Sequence, residues 1–78
     1  MTTYVCLYRH YYGIGDTPEV AQKNARKAGG RGTVWAIKQL PEGSSNVSVD
    51  DYGAIHWTGP GRTCKIVKHG KGLKVRND

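Results

Sequence analysis

The stretch DTPEVAQKNARKAGG, Asp16 to Gly30, limits the possible folds of this chain more than any other. Asp16 or Thr17 can serve as an N-cap, Pro18 suits the first turn, and Glu19 lies at the positive end of the helix dipole. Val20, Ala21, Asn24, Ala25 and Ala28 then recur at spacings of three and four and form one stripe of small residues. Gln22, Lys23, Arg26 and Lys27 face the other way. Gly29 and Gly30 end the helix, because glycine takes the left-handed conformation just past a helix terminus without penalty. A helix of about three turns is not stable alone. Its small-residue stripe lets it lie close on a sheet, so the rest of the chain must supply that sheet.

The flanking segments read as strands. From Thr3 to Tyr12 the residues alternate, with Val5 and Leu7 on one face and Tyr4, Cys6 and Tyr8 on the other. Both faces are apolar, which predicts a strand that is central in its sheet or covered on both sides. Gly13-Ile14-Gly15 is read as its end. No third glycine follows at the spacing of a dinucleotide-binding turn. Thr33 to Leu40, TVWAIKQL, is a second strand, with Trp35 and Ile37 on one face and Val34, Ala36 and Leu40 on the other. Residues 41–46 read as a loop. Val47 to Val49 and Ala54 to Trp57 form a hairpin around Asp50-Asp51-Tyr52-Gly53, with Ile55 and Trp57 sharing a face. Thr63 to Val67 is a last strand, with Cys64 and Ile66 on one side and Lys65 on the other.

The expected fold is α+β, in the order β-α-β-β-β-β: an antiparallel or mixed sheet of four to five short strands with one helix on a face. Parallel pairing of the two strands around the helix requires a right-handed crossover. A strand lying between them makes the sheet mixed. The expected organisation is a single domain over 1–67 and a basic tail over 68–78. Seventy-eight residues give a thin core, since a chain this short buries only about 60–65% of its unfolded surface.

Charge is distributed unevenly. Residues 1–61 hold six basic and five acidic side chains, whereas residues 62–78 hold six basic and one acidic. The end stretch GRTCKIVKHGKGLKVR therefore carries nearly all of the net +6. Such asymmetry marks either a solvated tail or contact with phosphate or an acidic protein surface. The candidate binding residues are Lys23, Arg26 and Lys27 on the helix, with Arg62, Lys65, Lys68, Lys71, Lys74 and Arg76 in the last strand and tail. Tyr8, Tyr11 and Tyr12 are candidate interface anchors, although some of them must be core. His56-Trp57 offers a stacking face for a base.

Cys6 and Cys64 are the two cysteines. A disulfide between first and last strands is geometrically possible, but both read as small apolar core residues. Pairing Cys6 with His10 and Cys64 with His69 at a zinc site fails on distance, because strand residues four apart lie roughly 13 Å apart. No metal or cofactor is expected. A trio of Cys64, His56 and Asp50 exists on paper, but Asp50 and Asp51 belong to a turn. The chain reads as a binder and not an enzyme. It has no membrane-length apolar run and no signal-peptide layout at its start, and the expected location is the cytoplasm. Monomer and homodimer both remain open. Signatures of known nucleic-acid-binding modules are missing from the sequence.

The strand, the capped Ala-rich helix, the GTVWAIK strand and the YGAIHW hairpin, over roughly residues 4–67, resemble small phage-encoded anti-CRISPR proteins of the type I-F inhibitors. The resemblance implies a non-enzymatic inhibitor, acting in the host cell, that binds a Cas surveillance complex and interferes with recruitment of target DNA. It carries over no contact residues. A basic chain does not mimic DNA; it would dock on an acidic protein patch or hold DNA non-productively. The alternative expectation is a small basic protein that grips phosphates of DNA or RNA through its helix and C-terminal basic residues.

Overall fold

The computed structural model describes residues 2–69. It contains β1 (Tyr4–Leu7), β2 (Tyr12–Gly15), α1 (Pro18–Ala28), β3 (Ala36–Gln39), β4 (Ser45–Val49), β5 (Ile55–Thr58) and β6 (Lys65–His69). Four strands form one sheet in the order β2-β1-β3-β6, and β4 pairs with β5 in a separate ribbon. Every pairing is antiparallel. The α+β class and the single helix on a sheet face are as the sequence predicts, and the mixed-sheet alternative is not realised. The expected first strand is itself a hairpin. β1 lies between β2 and β3, and the helix carries the chain over it.

The doubling of that strand has a local cause. The chain reverses at Tyr8-Arg9-His10-Tyr11, closed by Tyr8 N–H donating to the Tyr11 carbonyl at 2.8 Å. None of these four is a usual turn residue. Gly13 and Gly15, read as terminators, lie within β2 opposite Cys6 and Tyr4. They are glycines because the helix rests on them. A methyl on Gly13 would overlap the backbone of Ala21 and Ala25. Ala21 and Ala25 are the fully buried residues of the helix, so small residues meet glycine and the two backbones approach closely.

The helix ends match their sequence signals. Thr17, rather than Asp16, is the N-cap, and its Oγ1 accepts from Val20 N–H at 3.1 Å. At the other end Gly29 has φ 129°. Gly29 N–H donates to the Arg26 carbonyl and Gly30 N–H to that of Ala25, which satisfies two otherwise unpaired acceptors.

Two apolar layers follow from the alternation in β1. On the helix side Cys6, Tyr8, Ala21, Ala25, Val34 and Ile37 pack together, joined by Tyr4. On the other side Val5, Leu7 and Leu40 meet Ile14, Val47, Val49, Ile55, Trp57 and Cys64, so the β4–β5 ribbon covers this face. The central strand is covered on both faces, as expected. Val34 departs from the predicted alternation and joins Ile37, because regular strand begins only at Ala36. The predicted loop is shorter than expected: Ser45 already pairs with Thr58, and Asn46 takes a left-handed φ of 52° where the ribbon's register shifts. Cys6 and Cys64 lie in different layers, on opposite faces of the sheet, and neither is in a disulfide. No described helix is long and apolar enough to cross a membrane.

Candidate binding surface

The sheet and helix have two chemically different ends. At one end the helix begins, with Asp16 and Glu19, and β3 runs out toward Glu42. At the other end the β1–β2 turn, the end of the helix and the start of β3 converge. Leu7 pairs with both Tyr12 and Ala36, and its carbonyl accepts from Trp35 N–H at 2.8 Å. The Tyr11 ring lies against Gly29 and the Tyr8 ring against Gly30, where a Cβ would stand 2.7 and 2.5 Å from them. This convergence gathers Arg9, His10, Lys27 and Arg31, all exposed. Neither segment that forms it, residues 8–12 or 26–36, contains an acid. Part of the cationic excess complements the negative end of the helix dipole; Arg9 and His10, on a different element, lie beyond that explanation.

The tyrosines divide as the sequence requires. Tyr8 is core at 4% exposure, and its hydroxyl accepts from Arg26 Nε at 3.1 Å and Gln22 Nε2 at 3.4 Å. The bond to Tyr8 raises the pKa of Arg26 above its ordinary value. Arg26 and Gln22 therefore do not simply face solvent: both reach the Tyr8 hydroxyl and satisfy the polar end of that buried ring. Tyr11 and Tyr12 are 45% and 37% exposed, and Trp35 is 40% exposed. Two shallow clefts open beside the tyrosines. One, of about 410 Å³, is lined by His10, Tyr11, Tyr12, Gly13, Ile14, Asn24 and Ala28. The other, of about 500 Å³, lies among Tyr8, Arg9, His10, Tyr11, Gly29 and Arg31.

Of the candidate residues read from the sequence, Lys27 belongs to this end and Arg26 borders it through Tyr8. Lys23 is exposed midway along the helix. Arg62 and Lys65 are exposed elsewhere; Lys65 pairs with Gln39 at the opposite end of the sheet. Lys68 pairs with Ile37 through its backbone. Lys71, Lys74 and Arg76 lie outside the described residues. The strand that leads to them ends at His69, opposite Ala36, and so at the cationic end. Sequence reading missed Arg9, His10 and Arg31. Arg9 and His10 were placed within a strand, and Arg31 follows the helix without a motif; only the turn at Tyr8–Tyr11 brings them together.

The proposed stacking face at His56-Trp57 is not available as read. Trp57 packs into the core beneath the ribbon, and His56 is turned outward beside Asp50. Its Nε2–H donates to Asp50 Oδ2 at 2.8 Å, while Asp50 Oδ1 accepts from the backbone N–H groups of Tyr52 and Ala54, both at 2.9 Å. The His56 bond, and after it the Ala54 N–H, holds the Asp50 carboxyl below the ordinary carboxylate range. This arrangement braces a turn and presents Tyr52 at 96% exposure. Cys64 packs with the inward-facing residues of the ribbon, so it does not complete a nucleophilic trio with the outward His56. Among the described residues no group of three or more His, Cys, Asp or Glu side chains is placed to hold a metal ion. No protein-family model matches the chain, and no curated protein or solved structure matches it.

Proposed function

We propose that the chain is a non-enzymatic, cytoplasmic binding protein that grips a nucleic-acid backbone at its cationic aromatic end. One observation carries this reading: the β1–β2 turn, the helix terminus and the following loop bring Arg9, His10, Lys27 and Arg31 to the same end of the sheet as the exposed Tyr11, Tyr12 and Trp35, with no acid in those segments. Cations that track phosphates beside rings that stack on bases are what single-strand grooves use. The strand leading to Lys71, Lys74 and Arg76 ends there, which supports the expected contribution of the basic C-terminal sequence.

The test is fluorescence anisotropy of a labelled fifteen-nucleotide dT strand over a salt series. Log affinity should fall linearly with log salt, by about 0.7 per phosphate contacted. Replacing Arg9 and Arg31 together with Gln should flatten that slope by about 1.4, two contacts at that value. An affinity indifferent to salt, or a slope unchanged in the double variant, overturns the reading.

A second reading draws on Tyr52. An almost fully exposed tyrosine on a braced turn is the kind of rigid anchor that protein interfaces bury at their centre. It supports the inhibitor reading, in which the chain docks on a Cas surveillance complex. Co-elution of the purified chain with such a complex, lost in Tyr52→Ala, would bear it out; no co-elution would dismiss it.

A further inference from the structure

We propose that the cleft beside β2 receives a single unpaired base, so that the protein selects single-stranded over duplex nucleic acid. This rests on the nucleic-acid reading above and adds a site and a specificity to it. β2 is an end strand of its sheet. Asn24 Nδ2 donates to the Ile14 carbonyl at 2.7 Å, which shows that the Ile14 carbonyl points outward from the sheet. In an antiparallel pair a residue's N–H and C=O face the same side, and the pattern repeats every second residue. The Ile14 N–H and both backbone groups of Tyr12 therefore also face the cleft side of β2.

The same hydrogen bond fixes the Asn24 amide. One Nδ2 hydrogen is spent on Ile14, and Asn24, which lines the cleft, keeps its second Nδ2 hydrogen and Oδ1 for a ligand. A base edge presents donors and acceptors in one plane and would meet backbone donor and backbone acceptor together, beside the Asn24 amide. Tyr11, Tyr12 and His10 supply flat rings at the rim, while the small side chain of Ala28 leaves the space open. Arg9, Arg31 and Lys27 at the neighbouring end supply the charge for the phosphates on either side. The rings stack on any base, so the dominant selection is for strandedness, and the donors and acceptors of the strand edge only modulate which base is preferred. A duplex keeps its bases stacked and cannot deliver one to the cleft.

The experiment compares the fifteen-nucleotide dT strand with a fifteen-base-pair duplex at one low salt concentration, using the wild-type chain and Ala28→Leu. Ala28 is exposed on the helix, so leucine there fills the cleft without entering the core; circular dichroism checks the fold. The wild-type chain should prefer the single strand by about tenfold, within the range that one stacked base supplies. Ala28→Leu should abolish that preference and leave duplex affinity within about twofold. Equal binding of both by the wild-type chain, or an unchanged preference in Ala28→Leu, overturns the base site while the phosphate grip stands. Displacement of the dT strand by poly-glutamate as readily as by unlabelled dT would assign the cleft to acidic peptide instead, and overturns it too. Binding of neither strand nor duplex overturns both readings.

Discussion

Gly13→Ala tests the fold where it has least tolerance. The added methyl would lie 2.7 Å from Ala25 Cα and closer still to the Ala25 nitrogen and Ala21 oxygen. All three are backbone atoms of the helix, so no rotamer change relieves the clash. Relief requires the helix to lift from β2, which strips contacts from Ala21 and Ala25 at the centre of the helix-side layer. Overpacking ordinarily costs about 1–3 kcal/mol where side chains can adjust; here about 3 kcal/mol or more is expected. A chain of this size has a total stability of about 4–12 kcal/mol. Each kilocalorie lowers the midpoint of a small domain by about 4–8 °C, so thermal unfolding followed by circular dichroism should show a drop of about 12–24 °C. Gly32→Ala is the comparison. Nothing lies within 4 Å of a Cβ there and φ is 79°, so only left-handed strain of about 1–2 kcal/mol applies. A Gly13→Ala midpoint within about 4 °C of wild type would refute the claim that the missing Cβ sets the helix–sheet spacing.

Thr17→Ala removes the N-cap bond to Val20 and should cost about 1 kcal/mol, read as a fall of about 4–8 °C in the same melt. Leu40→Ala, at a side chain 1% exposed between the sheet and the ribbon, should cost about 2–5 kcal/mol by urea unfolding. The Asp50 carboxyl titrates lower when folded than unfolded, so its contribution is complete above the unfolded value and is lost as pH falls through the folded one. Wild-type stability should therefore drop more steeply below about pH 4 than that of Asp50→Asn. Parallel pH profiles of the two would count against the braced turn.

The helix was legible because its signals are local: a capping threonine, proline at the first position, small residues at helical spacing and paired glycines. The β4–β5 hairpin was legible for the same reason, since Asp50 to Gly53 is turn chemistry between alternating segments. The β1–β2 turn was hidden. Its residues, Tyr-Arg-His-Tyr, continue the alternation of a strand, and the glycines that follow looked like an end when they are landing points for the helix. That single hidden reversal also concealed the candidate site, because Arg9 and His10 meet Lys27 and Arg31 only across it. The fate of Trp57 was equally invisible: a Trp beside a His reads as an open stacking pair, and only the ribbon's packing on Val5, Leu7 and Leu40 turns its ring inward.

The most direct measurement is an amide NMR titration of the full chain with the fifteen-nucleotide dT strand. Among the described residues, shifts should concentrate at 8–12, 27–31 and 35, on both sides of the hidden turn, and should weaken as salt is raised. Shifts confined to the ribbon at 45–58, or no shifts at low salt, would contradict the assignment of nucleic-acid binding to the cationic aromatic end.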